Sequence, residues 1–481
     1  MKEAITMLKT KIVCTIGPAT NSPKMIEKMI LSGMNVARLN FSHGTHEDHK
    51  KTIEYIKAAR EKLGRPVAIL LDTKGPEVRI GKFKEGVAYL ENGNTFTLTT
   101  RDISGTNEGV SISYADLPSQ LYPGCAVLVD DGNIELEVVS CTDTDIECRI
   151  IEGGTLKNGK GVNLPDIHLE MPHLSDKDKS DILFGMENGI DFIAASFVRC
   201  ADDVINMRKF VDYNGGHAIR IISKIENNEG VEEFDKILDL SDGIMVARGD
   251  MGVEIPFERL PGLQKKFIRQ CYRAGKMVIT ATQMLESMIE HPNPTRAEIT
   301  DVANAVFDGT SAVMLSGETA VGRYPLRAIE VMAKVAEQAE HDMFEMKGYD
   351  SDYVMDFSDT TNAMCDAACT TARDLRAQAI VALTMTGRSA RRMSKFRPST
   401  PIVAATPSIK TYHQLALSWG VYPVLALNQS DFNSLFMHAI DCAKQIDIVS
   451  EGDKVVIVGG LPLDTPGNTN IIKVETVKPR A

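Results

Sequence analysis

Short runs of β-branched residues alternate with segments whose apolar positions recur every three or four residues, the rhythm of βα units around a parallel sheet. Runs at 11–16, 34–39 and 67–71 predict three strands. Between them, Asn21-Ser22-Pro23 offers a capping residue and a first-turn proline for a helix that Gly33 ends, and a second helix over 45–63 stops at Gly64. From Gly75 to Pro165 the rhythm breaks. Alternating segments at 95–99, 126–129 and 135–139 lie between Asn-Gly, Asp-Gly and Pro-Gly turns, which predicts a small β domain inserted into an α/β one. Helical pattern resumes at 175–188, and runs at 192–197, 219–224, 243–247, 277–282 and 312–315 bring the strand count to eight. Helices over 257–273, 295–307 and 325–341 supply an outer ring, so a (β/α)8 TIM barrel fits better than an open sheet. An insert at a strand's end sits above the active face of such a barrel, where it can move as a lid. After a polar break at 347–352, runs at 379–383, 401–405, 421–427, 454–458 and 471–477, with helices between them, predict a C-terminal α/β domain. The expected division is a barrel over 1–74 and 166–345, an inserted β lid over 75–165 and a C-terminal domain over 346–481.

Polar residues two apart occur at six of the predicted strand ends: Arg38, Asn40 and Ser42; Asp72 and Lys74; Lys224 and Glu226; Arg248 and Asp250; Thr280 and Thr282; Ser316 and Glu318. Strand side chains alternate, so residues two apart point the same way. Buried strands should continue apolar, and these pairs therefore predict one charged site at the barrel's top face. Arg38, Lys74, Arg79, Lys224 and Arg248 supply cations, whereas Glu226, Asp250 and Asp72 supply oxygen ligands. That mixture suits a hard divalent ion gripping an anion, and phosphoryl transfer is the natural reaction class. The bland alternative is a structural ion pair in the barrel mouth. The strand ends carry neither His nor Cys, which argues against a zinc hydrolase or a thiol nucleophile.

Composition narrows this picture. The 481 residues exceed what one core usually holds, and 43% hydrophobic with 25% charged residues is ordinary for a globular protein. A net charge of −12 argues against nucleic acid as a partner, yet phosphate ligands need only a few local cations. Nine cysteines without CxxC spacing read as reduced thiols of a cytoplasmic protein. No apolar run approaches the ~18 residues that would span a membrane, and the first residues lack a signal-peptide core.

Three motifs lead nowhere. Gly154-Thr155-Leu156-Lys157-Asn158-Gly159-Lys160 begins like a phosphate-binding loop, but Gly161 replaces the hydroxyl residue and no helix follows, so it reads as a turn in the insert. His43, His46 and His49 fit an exposed first helical turn better than a metal site. Asn40-Phe41-Ser42 matches a glycosylation acceptor without a secretory context. In the C-terminal part, Thr384-Met385-Thr386-Gly387-Arg388-Ser389 opens a helix carrying Arg391, Arg392 and Lys395. This is either a phosphate pocket or an ordinary turn before a solvated basic helix.

NVARLNFSHG at 35–44, LDTKGPE at 71–77, ISKIEN at 222–227, ARGD at 247–250 and LSGET at 315–319 occur in the order of one family. Over essentially its whole length the chain resembles pyruvate kinase, which moves a phosphoryl group from phosphoenolpyruvate to ADP. The resemblance implies that Glu226 and Asp250 bind Mg²⁺ or Mn²⁺ and that Lys224 neutralises the transferring phosphoryl group and the enolate. It places Arg38 on the phosphate, Arg79, Asn40, His43 and Lys160 on the nucleotide side, and the backbone of Ala247, Arg248 and Gly249, beside Asp250, on the substrate carboxylate. Asn40, Ser42, Asp72 and the Thr73 carbonyl would hold K⁺, and Glu77 marks the K⁺-requiring branch of the family. Thr282, with Ser316 and Glu318 behind it, would handle the proton delivered to enolpyruvate.

The resemblance further implies that the insert is a lid, that the C-terminal domain is regulatory with a sugar phosphate at Thr384, Met385, Thr386, Gly387, Arg388 and Ser389, and that the assembly is a homotetramer. Ser311 departs from the acidic residue of many relatives, a change expected to be tolerated. The loop at 461–470 lacks the basic residue some relatives use for a bisphosphate, which leaves the effector open. The competing readings are another metal-dependent barrel handling pyruvate enolates, such as an aldolase or lyase, and a sugar-phosphate sensor without catalysis.

Overall fold

The eight predicted barrel strands form a closed parallel barrel: Lys11–Thr15, Val36–Asn40, Ala68–Asp72, Phe192–Ala195, Arg220–Ile225, Gly243–Ala247, Met277–Ala281 and Ala312–Leu315. This computed structural model describes residues 7–345, 359–427, 432–460 and 469–478. The polar break at 347–352 and most of the loop at 461–470 lie outside the described residues.

Local chemistry sets the helix ends. Ser22 caps the helix Pro23–Ser32, Thr45 and Asp48 form a capping box on His46–Leu63, and Gly64 ends that helix in the left-handed conformation (φ 61°). The helix predicted at 257–273 is a 3₁₀ turn, Phe257–Arg259, followed by Leu260–Ala274, because Pro261 has no N–H to continue the first segment.

The insert forms a seven-stranded sheet plus a two-stranded ribbon. A single bridge between Ile80 and Ile112 joins the sheet's two edges, which gives it barrel form. Its core is separate from the main one and is built around residues such as Phe96, Leu98, Val127 and Leu136. The segment read as a turn at 154–160 is partly strand: Gly154–Lys157 pairs with Val87–Leu90, and only Asn158 to Lys160 turn. Alternation in that run (only Leu156 buried) is the strand signal that the glycines obscured.

The C-terminal sheet has strands Val421–Leu425, Ile402–Thr406, Ala379–Leu383, Lys454–Gly459 and Ile471–Thr476 in spatial order. Its last strand runs antiparallel to Lys454–Gly459, contrary to the expected βα series, since the connection is too short for a crossover helix. The unit docks on the barrel's amino-terminal floor. Leu417 enters the barrel's inner cluster, and Gln414 Nε2 donates to the carbonyls of Asp191 (3.1 Å) and Ala218 (2.7 Å). All nine cysteines are free thiols.

Candidate active site

The inner cluster of the barrel gives the phase of every strand. Val13, Val36, Leu70, Ala194, Ile222 and Met314 face the axis. Two residues further along, the same phase delivers Thr15, Arg38, Asp72, Ser196, Lys224 and Ser316 to the axis at the carboxyl ends. The register holds them level, with Thr15 opposite Arg38 and Asp72 opposite Ala194.

These residues form one bonded cluster. Arg38 Nε meets Asp72 Oδ2 at 2.6 Å, and Arg38 Nη1 donates to Thr15 Oγ1 at 2.9 Å. Lys224 Nζ reaches Asp72 Oδ1 at 3.1 Å, Glu226 Oε1 at 2.9 Å and Ser196 Oγ at 2.7 Å. The other oxygen of Glu226 accepts the Phe197 N–H at 2.6 Å. Burial alone would raise the Asp72 carboxyl, but Arg38 and Lys224 outweigh it and hold the group below the usual range. Burial would likewise discharge Lys224, yet Asp72 and Glu226 keep it firmly protonated. Glu226 is pushed up to about 8 by burial, against Lys224, with the Asp250 charge adding to the push. A second carboxylate close enough for its charge to act on Glu226 places two anionic groups where they are suited to share a cation.

The sixth and seventh strands correct the sequence reading. Met245 faces the axis, so Arg248 is out of phase and its side chain leaves the site. It binds Asp301 Oδ1 (2.7 Å), the Thr282 carbonyl (2.6 Å), the Ala281 carbonyl (3.2 Å) and Gln264 Oε1 (3.3 Å). Arg248 is thus a brace rather than a site cation. Thr280 is also turned outward, donating to Thr310 Oγ1 at 2.9 Å. Thr282 returns to the site only through a positive φ of 69°, followed by Gln283 at 55°. A β-branched residue there costs about 1–3 kcal/mol and persists only where neighbours enforce it. Its hydroxyl donates to the Ala281 carbonyl (2.6 Å) and accepts the Gly249 N–H (2.7 Å). Phe197, whose amide holds Glu226, is a second strained residue, at φ 54°.

Ala247 precedes the helix Arg248–Glu254, which carries Gly249 and Asp250 in its first turn. Both Glu318 oxygens accept backbone amides, from Leu285 (3.0 Å) and Ser316 (2.7 Å), so Glu318 shapes the turn. Ser316 Oγ is buried and has no hydrogen-bond partner among the described residues.

On the other side, Asn40 Oδ1 accepts the Ser42 N–H at 3.1 Å, and the Thr73 carbonyl accepts Ser196 Oγ at 2.7 Å. Ser196 and Thr15 also join the cluster, although neither lies in a pair of polar residues at a strand end. The signal was available, since each is the polar residue two places beyond an inward apolar one. Asp178 is a further omission: its Oδ1 accepts the N–H groups of Lys74 (3.1 Å) and Gly75 (3.2 Å), pinning the point where the chain leaves the barrel for the insert. It lies far along the sequence, where the Ser175-x-x-Asp178 capping box marks it as a helix cap but nothing marks its bonds to Lys74 and Gly75.

The profile of the pyruvate kinase barrel domain matches residues 7–329, and that of the pyruvate kinase alpha/beta domain matches 362–475. The chain belongs to the pyruvate kinase family. A pyruvate kinase of Clostridium acetobutylicum is 45% identical over 479 residues, covering 98% of this chain and all of that one. One from Staphylococcus saprophyticus is 47% identical, over 98% of this chain and 81% of its own length. The crystal structure of a pyruvate kinase from Cryptosporidium parvum superposes with a TM-score of 0.91 at 40% identity, covering 99% of this chain and 97% of that one. The reaction follows from the family: phosphoenolpyruvate and ADP give pyruvate and ATP in glycolysis, with a divalent metal and K⁺ as the family's cofactors. Among the described residues no helix is long and apolar enough to cross a membrane.

Of the residues expected on the nucleotide side, Asn40 ends its barrel strand opposite Asp72, while Arg79, Lys160 and His43 stand apart from the buried cluster. Arg79 lies in the insert, bound to Glu77 Oε2 (2.8 Å) and the Gly159 carbonyl (2.7 Å), and Lys160 pairs with Asp130 (2.6 Å). His43 is exposed, but His46 and His49 are not a free helical turn. His49 stacks on Phe41 at 3.9 Å between ring centres, and His46 stacks on Phe184 and bonds Asp181 Oδ1 at 2.7 Å. The apolar Phe41 beside them is what draws them in.

In the C-terminal unit, Thr384 Oγ1 accepts the Gly387 N–H at 2.9 Å, and Ser389 Oγ meets Thr469 Oγ1 at 2.7 Å. Thr386 and Arg388 are exposed, as is Met385, whose carbonyl is held by Thr411 Oγ1 at 2.8 Å.

Proposed function

We propose that phosphoenolpyruvate binds over the Asp72–Lys224–Glu226 cluster and that Lys224 is the group that stabilises phosphoryl transfer. The observation that carries this reading is the Lys224 ammonium, fixed by Asp72, Glu226 and Ser196 and kept charged in a buried site. A preorganised charge of this kind is worth most where charge develops away from water. Arg38, held by Asp72 and Thr15, is placed to take the phosphate. The donor set of Glu226 and Asp250 fits Mg²⁺ or Mn²⁺: two hard carboxylates, the charge of one acting on the other, with coordination left for substrate oxygens. Bound there, the metal would polarise the oxygens of substrate and enolate. The orphaned Ser316 hydroxyl and the strained Thr282 hydroxyl are the groups offered for moving a proton to enolpyruvate, with Glu318 and Arg248 positioning the turns that carry them. The first-turn backbone at Ala247, Arg248 and Gly249 meets the substrate carboxylate.

Asn40, Ser42, Asp72 and the Thr73 carbonyl are the proposed K⁺ ligands, all oxygen donors. Arg79, Lys160, His43 and Asn40 meet ADP when the insert, acting as a lid, closes on the barrel. The loop Thr384 to Ser389 takes a sugar phosphate, supported by its exposed Thr386 and Arg388 and by the helix that opens there. The homotetramer rests on the resemblance to the family alone, and the cytoplasmic location on that resemblance together with the nine free thiols.

One coupled assay of pyruvate formation tests the cation and effector readings. Replacing K⁺ by tetramethylammonium at constant ionic strength should lower kcat at least about tenfold, equal to ~1.4 kcal/mol of transition-state stabilisation. Full activity without K⁺ contradicts the ligand set. Sugar phosphate should lower the KM for phosphoenolpyruvate, and Thr384→Ala with Ser389→Ala should remove that response.

A further inference from the structure

A second basic cleft lies at the opposite end of the barrel, in the seam between the barrel floor and the C-terminal unit. The cleft is shallow and open to solvent at its mouth. One wall comes from the turn Gly275 to Met277, which enters the seventh barrel strand, and from Ser311, which precedes the eighth. The other comes from the end of the helix Arg388–Lys395 and from Ser418 and Trp419 ahead of Val421–Leu425.

Four of its lining side chains are cationic: Lys276, Arg391, Lys395 and Arg397. Arg397 is 5% exposed, bonded to the Gly309 carbonyl (2.8 Å) and to Ser311 Oγ (3.3 Å), with its guanidinium over the Trp419 ring at 4.5 Å. Lys276 donates to the carbonyls of Leu238 and Asp239. The nearby carboxylate of Asp242 is already bound by Arg208 (3.0 Å) and Arg220 (2.8 Å). Burial, reinforced by the like charge of Arg220, lowers the Arg391 guanidinium to about 9 against the pull of Asp242. A cation crowded in that way is relieved by an anion.

A second observation points into the same cleft. Ser418 is 2% exposed, lines the cleft, and its hydroxyl has no hydrogen-bond partner among the described residues. A buried hydroxyl left unpaired loses its hydration without recompense, so it calls for a partner. Oxygen acceptors that take both hydroxyl and guanidinium donors are the chemistry of a phosphate or phosphate monoester.

We propose that this seam is a binding site for a phosphate dianion, free or carried by a small metabolite, separate from the active site and from the Thr384–Ser389 loop. The anion bridges the barrel floor and the C-terminal unit, and its occupancy stiffens the docking between them. Arg391 also donates to the Thr386 carbonyl at 2.8 Å, so the site is mechanically linked to the neighbouring loop without sharing its hydroxyls.

The test is equilibrium dialysis of the full chain against radiolabelled inorganic phosphate, counting sites per chain. The variants are Lys395→Gln with Ser418→Ala, the loop variant Thr384→Ala with Ser389→Ala, and the active-site variant Arg38→Ala. The seam variant should weaken one class of phosphate site at least tenfold, and a class that neither other variant touches. Competition by a panel of phosphorylated metabolites, each measured against that class, then separates free phosphate from a phosphate ester. Ser418→Ala alone keeps the question open to measurement if the double variant misfolds: it should lower phosphate affinity while leaving the thermal midpoint of the phosphate-free protein unchanged or raised. Phosphate binding unchanged in both seam variants, or no site surviving in the loop and active-site variants, overturns the proposal.

Discussion

Replacing Lys224 by methionine is expected to abolish phosphoryl transfer while leaving divalent-metal binding largely intact. The ammonium contacts Asp72, Glu226 and Ser196, so three partners fix its position before substrate arrives. Its charge costs no reorganisation during the reaction, and removing one such group lowers kcat by about 10²–10³-fold or more. Methionine keeps the volume and removes the charge. Glu226 then loses its cationic partner, and its carboxyl, already pushed up to about 8, rises further. Metal affinity is therefore to be compared well above neutrality, where proton competition is small. Stopped-flow pyruvate formation together with Mn²⁺ titration separates the two effects. An equal loss of metal affinity at high pH would contradict the role given to Lys224.

The second large effect is expected at Asp72. This carboxylate is 1% exposed and holds two cations, Arg38 at 2.6 Å and Lys224 at 3.1 Å. Asp72→Ala leaves both of them buried without it, and breaking a buried pair by removing one partner costs about 3–5 kcal/mol. Activity should fall with stability, because Arg38 and Lys224 lose the group that aims them. Asp72→Asn keeps a hydrogen-bond acceptor in place and should recover part of the stability but not the activity. Denaturant unfolding alongside kcat measures both, and a wild-type midpoint in Asp72→Ala would show that the cations are held by something else.

How much of this was legible in the chain depends on phase. Lys224, Asp72 and Arg38 each follow an inward apolar residue by two, so alternation alone sends them to the barrel axis. Arg248 and Thr280 share with them only polarity and a place near a strand end; Met245 and Ile279 set the opposite phase and turn both outward. Thr282 escapes that rule through a left-handed backbone that no propensity announces. Ser196 obeys the rule, but it stands as a lone small hydroxyl between Ala195 and Phe197 with no charged residue two places away to mark it. Asp178 carries the local sign of a helix cap with Ser175, but its hold on Lys74 and Gly75 had none, since long-range backbone contacts leave no spacing pattern. The barrel itself was readable because eight buried runs repeat one rhythm. The antiparallel last strand of the C-terminal sheet was not, because a run of apolar residues carries no direction.

The central claim is that Glu226 and Asp250 hold the metal that serves the reaction beside Lys224. The most direct measurement is Mn²⁺ binding by electron paramagnetic resonance, in the wild type and in Glu226→Gln with Asp250→Asn, paired with ADP-dependent pyruvate formation on the same samples. The account predicts that the double variant loses the tight Mn²⁺ site and the activity together while remaining folded. A double variant that keeps wild-type Mn²⁺ affinity, or that still forms pyruvate from phosphoenolpyruvate and ADP at the wild-type rate, would contradict it.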